Sequence, residues 1–268
     1  MWSYYGAKTK IVDLYPRPKH HKVIEPFAGS ARYSLKWFEN DVLLVDKYPV
    51  IVKIWHYLQQ ASENDIMGLP EPKYKESIKQ YNLAEGEFLL MSFLVAGAIA
   101  NPQYIVQQYS DIPRAKKQIA KQLFKIKHWK IQLGSYEDIP NQIATWFIDP
   151  PYQIGGEHYH ENNKSLDYSV LASWCKSRNG HVIVCENTKA DWLPFYAMRK
   201  MTGAYSTTTE AIWSNYPTDF DAQQLGLFAE AQLTLPAPDN GDSPAFEALS
   251  TLGDFTASEN ESTPAHCG

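Results

Sequence analysis

The sequence predicts a doubly wound α/β fold, a mostly parallel sheet with helices on both faces, carrying a helical insertion and a loose tail. Three observations lead there. Short apolar segments ending in small or acidic residues alternate with stretches of helical length, as in βαβ units. Between residues 61 and 130 that alternation stops. Beyond residue 229, hydrophobic residues thin out among Pro, Ser, Thr, Gly and acids.

Residues 23–27 read as a first strand, 28–31 as a small-residue turn and 31–38 as a helix. The run 42–45 is continuously apolar and ends in Asp46, as a strand buried on both faces would. A helix follows at 49–60. The segment 61–130 reads as mostly helical, polar and broken by Pro70, Pro72, Pro102 and Pro113. Its apolar stretch 88–100 is too short to span a bilayer and reads as a buried helix. Strands return at 130–133, 145–148 and 181–185, with a helix at 169–177. A late strand at 206–213, rich in Thr and aromatics, is expected to pair with 225–228. The organisation expected is a main domain of residues 1–60 and 131–228, an insertion at 61–130, and a disordered acidic tail at 229–268.

The net charge of -5 hides an asymmetry. Residues 229–268 hold seven acids and no Lys or Arg, which leaves 25 basic and 23 acidic residues in 1–228. The tail has too few hydrophobic residues to offset the entropy of ordering it. A solubilising role is its plain reading; competition with nucleic acid for a basic groove is the alternative. Cys175, Cys185 and Cys267 are odd in number and widely spaced, which suggests neither a disulfide framework nor a zinc site. The N-terminal residues lack the basic start and apolar run of a secretion signal. A monomer in a reducing cytoplasm, away from membranes, is the setting expected.

In an open parallel sheet, ligands bind beyond the carboxyl ends of the strands. Pro26, Phe27, Ala28, Gly29 and Ser30 occupy that place after the first strand, and Asp46 ends the second. A carboxylate there can grip a ribose hydroxyl pair; a surface acid in a turn is the alternative. The three-glycine fingerprint of nicotinamide dinucleotide sites is missing, since Ser30, Ala31, Arg32 and Tyr33 follow Gly29. No phosphate-cradling nest is evident, which favours a cofactor without a pyrophosphate.

The most specific feature is Asp149-Pro150-Pro151-Tyr152. Two prolines end a buried strand abruptly, because neither supplies an amide hydrogen. They leave the Asp149 carboxylate, the Pro150 carbonyl and the Tyr152 ring at the strand edge. A planar amine held there could donate to Asp149 and to the Pro150 carbonyl while its base stacks on Tyr152. Two acceptors outside the ring plane favour a pyramidal nitrogen and free its lone pair for attack on a methyl group. A tight structural turn is the other reading of an Asp-Pro sequence.

These motifs in this order resemble the Dam-like, D12-class family of N6-adenine DNA methyltransferases, and the resemblance spans roughly residues 3–228. Tyr4-Tyr5-Gly6-Ala7-Lys8 is similar to the family's N-terminal cofactor motif. Residues 25–31 resemble its Pro-Phe-x-Gly-x-Gly turn, with Ala31 in place of the second glycine. Asp46, beside Lys47, matches the ribose-binding acid. Gly134-Ser135-Tyr136 resembles the segment contacting the cofactor's adenine, with Ser135 replacing an acid. The tetrapeptide matches at all four positions. The resemblance implies a Rossmann-like S-adenosylmethionine-dependent methyltransferase fold and S-adenosylmethionine as cofactor. It also implies double-stranded DNA as partner, catalysis by Asp149, Pro150, Pro151 and Tyr152, and target recognition by the insertion.

Residues 114–130 carry seven Lys or Arg and no acid: Arg114, Lys116, Lys117, Lys121, Lys125, Lys127 and Lys130. The spacing of Lys117, Lys121 and Lys125 predicts one helical face suited to phosphate contacts; a solvated helix face is the alternative. Asn101, Gln103, Gln107 and Gln108 are candidates for reading base edges. A base within a duplex must be flipped out to be modified. The glycines and aromatics of 153–163 suit a mobile lid over such a base. His158 and His160 there lack the supporting cluster of a metal site, and none is expected. An RNA adenine or a cytosine methyltransferase would share the fold, although the cytosine relatives usually carry Ser where Asp149 stands. A non-catalytic nucleic-acid-binding relative is argued for by Ala31 and Ser135 and against by Asp149 and Tyr152. A nicotinamide-dependent oxidoreductase is disfavoured by the missing glycines.

Overall fold

The computed structural model describes residues 1–217 except 3, 7, 9, 10, 98, 162 and 203–206. Ala7, the expected tail and the expected strand at 225–228 lie outside the described residues. Those described all fall within one unit, Met1–Leu227.

The elements run β1 (Lys22–Glu25), α1 (Arg32–Lys36), β2 (Asp41–Asp46), α2 (Pro49–Gln60), α3 (Glu63–Gly68), α4 (Glu85–Leu94) and α5 (Ile112–Ala120). They continue with β3 (Lys130–Leu133), β4 (Ala144–Ile148), α6 (Tyr168–Lys176), β5 (Gly180–Asn187), β6 (Tyr196–Thr202) and β7 (Thr207–Ser214). The strands form one sheet in the order β3-β2-β1-β4-β5-β7-β6. The first five are parallel, and β7 runs antiparallel to both its neighbours. This is a Rossmann-like sheet, and its strand order reverses between β1 and β4, where such sheets open a crevice.

Continuous apolar strands are required because both faces are covered. Val23, Phe147, Ile183 and Cys185 point into one apolar layer, while Ile24, Trp146, Ile148, Val182 and Val184 point into the other. On the first face lie the N-terminal segment and residues of α2, α4 and α5. On the second lies α6, started by Asp167, whose carboxylate accepts the Ser169 and Val170 amides.

Two expectations change. The late strand pairs with β5 on one edge and β6 on the other. The sequence of β6, Tyr-Ala-Met-Arg-Lys-Met-Thr, hides its strand character behind the central charges that suit a sheet edge. The apolar run 88–100 is helical only to Leu94, after which the chain folds back and Gln103 and Gln107 donate to the Ser92 and Val95 carbonyls. Pro113 breaks nothing. It sits in the first turn of α5, where a missing amide hydrogen costs nothing, and Asp111 caps that helix.

The insertion has no core of its own. Leu90, Met91, Phe93, Ile112, Ile119 and Trp129 join the same cluster as Val23, Val42 and Phe147. Trp55 of α2 sits at the junction, fully buried. Its ring lies 4.8 Å from that of Trp2 and 5.7 Å from that of Trp129, and its Nε1 donates to the Gly29 carbonyl at 2.9 Å. Among the described residues, no helix is long and apolar enough to cross a membrane.

Trp55 therefore anchors the turn after β1 to the insertion. Trp55→Phe is expected to cost about 1–3 kcal/mol, because it leaves the Gly29 carbonyl unpaired, and Trp55→Ala about 3–5 kcal/mol. Urea denaturation of the two variants measures both.

Candidate active site

The carboxyl ends of β1, β2, β3 and β4, together with the N-terminal loop, enclose a cavity of about 280 Å³. Its lining takes in nearly every residue expected at the cofactor site: Tyr4, Tyr5, Gly6 and Lys8; Pro26 to Ser30; Asp46 and Lys47; Ser135 and Tyr136; and Asp149. Pro151 also lines it. Pro150 is buried, and neither it nor Tyr152 is part of the wall.

At one end, Asp46 Oδ2 accepts the Gly29 amide and Oδ1 the Tyr48 amide, both at 2.9 Å. Burial pushes this carboxyl up to about 6 against those two hydrogen bonds. Gly29 and Ala31 both adopt a left-handed conformation, with φ of 44°. The turn thus keeps its shape where the resemblance has a glycine and this chain has Ala31, at a cost of about 1–2 kcal/mol. At Gly29 a Cβ would also stand 3.2 Å from the Tyr4 ring. Phe27 stacks on Tyr136 at 5.5 Å, forming an aromatic wall. The Ser135 amide is capped by Asp138, and its hydroxyl donates to Glu137, which itself lines the cavity. An acid missing at position 135 is thus present two residues on.

At the other end stands a buried charge cluster. Lys8 Nζ lies 2.9 Å from Asp149 Oδ1, 3.6 Å from Glu210 Oε1 and 3.2 Å from the Gly6 carbonyl. It also sits 4.6 Å above the Tyr152 ring. Glu210 accepts hydrogen bonds from the Tyr15 hydroxyl at 2.8 Å and from the Tyr152 hydroxyl. Burial alone would lower the Lys8 pKa, but Asp149 and Glu210 hold it well above its ordinary value. Burial pushes Asp149 up to about 6; Lys8 opposes this and Glu210 adds to it. The Tyr152 hydroxyl is held by Glu210, one ring face is covered by Lys8, and the ring packs against the core.

The segment after the tetrapeptide folds across this region. Its stem is fixed where the Gln153 amide donates to Glu186 and Asn187 donates to the Ile154 carbonyl, each at 2.8 Å. Its far part meets Lys47 through Glu161 (3.2 Å), stacks His160 on Tyr48 (4.2 Å) and donates from the Tyr159 hydroxyl to the Tyr5 carbonyl (3.2 Å). A Cβ at Gly6, where φ is 72°, would collide with that hydroxyl. His158 packs edge-on against Tyr5.

The basic run is rearranged. Lys116 is buried, with its ammonium on Glu71 at 2.7 Å and on the Leu69 carbonyl, so its charge is paired within the protein. The helix ends at Ala120, so Lys121 only caps it and Lys125, in a separate 3-10 turn, lies over the Phe38 ring. The single face expected for Lys117, Lys121 and Lys125 therefore does not form. Lys127 holds the Gln59 and Ala61 carbonyls. Arg114, Lys117 and Lys121 are exposed.

Glu25 and Glu210 were not foreseen. Glu25 was legible as an acid at a buried strand end. Glu210 offered a weaker signal, an acid inside an otherwise uncharged strand.

No family model matches the chain, and no curated protein matches it at a significant level. Among solved structures, the rRNA methyltransferase aviRa of Streptomyces viridochromogenes is similar at 11% identity over 76% of this chain and 79% of that one, with a TM-score of 0.35. For yhhF of Escherichia coli, provisionally named a methyltransferase, the values are 8%, 74%, 76% and 0.33. A conserved hypothetical protein of Streptococcus pyogenes gives 11%, 73%, 86% and 0.31. These likenesses are remote, and the functional reading stands on the site's own geometry.

Glu25 is 2% exposed, accepts the Ser34 amide at 2.7 Å, and is pushed by burial up to about 8. The folded state keeps this proton after the unfolded chain has lost it, so Glu25 makes stability fall as pH rises from 4.5 to about 8. Urea midpoints at the two ends of that window are expected to differ less in Glu25→Gln than in the unaltered protein.

Proposed function

We propose that this protein transfers a methyl group from S-adenosylmethionine to the N6 amine of adenine in duplex DNA, after flipping the base out. One observation carries the reading. The Asp149 carboxylate, the hydrogen-bond acceptor of the tetrapeptide, faces a cavity whose other end holds Asp46 and the Phe27–Tyr136 wall.

The residues fit such a donor. Asp46 can accept from the ribose hydroxyls, Phe27 and Tyr136 offer flat apolar surface to a purine, and the Gly29 turn lets the backbone approach closely. When bound, S-adenosylmethionine would supply an activated methyl group to the amine nitrogen and leave as the neutral thioether, and Asp149 would accept the surplus amine proton. The rest falls to the chain. Asp149 accepts from the amine and orients its lone pair, Tyr152 stands beside it as the aromatic neighbour of the base, and the segment from Gln153 to Glu161 excludes water.

For the nucleic acid, Arg114, Lys117 and Lys121 offer exposed cations on the insertion. In the same insertion, exposed Tyr74 and Tyr104 carry Lys75 and Lys79 over their rings at 5.3 and 4.4 Å. This pairing of aromatic surface with positive charge suits nucleotides. The Tyr5 amide donates to the Ile99 carbonyl and Asn101 to the His158 carbonyl, which joins the insertion directly to the catalytic loops.

Purified protein supplied with labelled S-adenosylmethionine should label adenine in duplex DNA. Asp149→Ala should reduce transfer by more than about 100-fold while calorimetry still detects cofactor binding. Labelling of RNA alone, or no cofactor binding, would overturn the reading. Lys117→Ala and Lys121→Ala should each weaken DNA binding and lower the salt slope by about 1. Lys116→Ala should instead cost about 1–3 kcal/mol of stability.

A further inference from the structure

Glu210 reaches the site from the antiparallel strand β7, far along the chain from the tetrapeptide. It is only 7% exposed and Lys8 only 6%, so neither charge is screened by water. Two carboxylates, Asp149 and Glu210, share this one ammonium.

That sharing solves a problem built into the site. In the resting arrangement Lys8 occupies Asp149 Oδ1 at 2.9 Å, the carboxylate on which the target amine must donate. Were Asp149 its sole partner, releasing Lys8 would strand a cation in a buried site, at a cost of several kcal/mol. Keeping it there would cancel the negative charge that the amine needs as it becomes positive. Glu210 Oε1 stands 3.6 Å from the same nitrogen, about an ångström beyond a charge-assisted hydrogen bond. It is already held in place by Tyr15 and Tyr152.

We infer that Glu210 is a positioning residue that takes Lys8 over from Asp149 when the target amine docks, and so frees the catalytic carboxylate. The ammonium stays within the cluster before and after this hand-off, so the carboxylate facing the amine loses its cation without leaving that cation stranded. Because Glu210 also holds the Tyr152 hydroxyl, the base-stacking ring and the displaced ammonium are located by the same side chain. The inference rests on the methyl-transfer reading for its purpose, but not for its geometry.

The test is a double-variant cycle on the full chain. Asp149→Asn removes the first acceptor and Glu210→Gln the second. Each single variant should shift the unfolding temperature by no more than about 4 °C, and the double variant should lose roughly 10 °C beyond their sum. Additive losses would overturn the hand-off. In Asp149→Asn alone, the Lys8 ammonium should persist as a protected 15N NMR signal; its disappearance would also overturn it. With plasmid DNA as acceptor, Glu210→Gln should lower kcat about 10–100-fold and change KM for S-adenosylmethionine by less than about 3-fold, with partial rescue in Glu210→Asp. An unchanged kcat counts against the inference. If the unaltered protein transfers no methyl group, the functional reading fails, and the thermal cycle still decides the hand-off.

Discussion

A buried lysine needs a charge partner, and the candidate-site half of this protein is arranged around that constraint. The Lys8 ammonium comes from the N-terminal loop, Asp149 from the end of β4, and Glu210 from β7. Satisfying one cation thus ties together three parts of the chain that share no local sequence. The Tyr15 and Tyr152 hydroxyls both donate to Glu210 Oε1 and hold that side chain in place. The added antiparallel pair β6–β7 is then more than an extension of the sheet, since it delivers a second acid to Lys8.

The same logic runs through the cavity's other wall. Asp46 is held by backbone amides of the turn it faces, so β2 and the turn after β1 are locked to each other before any ligand arrives. Trp55 fixes that turn from behind through the Gly29 carbonyl, and its ring contacts carry the restraint to Trp129 at the far end of the insertion. The insertion is therefore mechanically continuous with the Asp46 end of the cavity. The segment after the tetrapeptide touches both ends as well, through Tyr159 on the N-terminal loop and Glu161 on Lys47.

Much of this was legible beforehand. The strands at 42–45, 145–148 and 181–185 announced themselves because a strand buried on both faces must be apolar throughout. The tetrapeptide stood out because consecutive prolines end a strand at a fixed place. What was misread shares a cause. Lys116 looked like its neighbours in a basic run, yet burial against Glu71 and the Leu69 carbonyl decided its role. β6 carries its charges in mid-strand and is the edge among the described strands, and whether a strand is an edge is a property of the assembled sheet. The spacing of Lys117, Lys121 and Lys125 implied a helix longer than the one that forms.

By itself, then, the sequence determined the sheet's parallel half, the places where its strands end, and the residues gathered at those ends. These follow from local rules of periodicity, proline stereochemistry and burial. Tertiary structure alone decided that Lys8 lies between two acids, that Glu210 is one of them, and which basic residues face solvent. Those are matters of distance between remote segments, set by how the antiparallel strands and the insertion close over the sheet, and no local pattern in the chain encodes them.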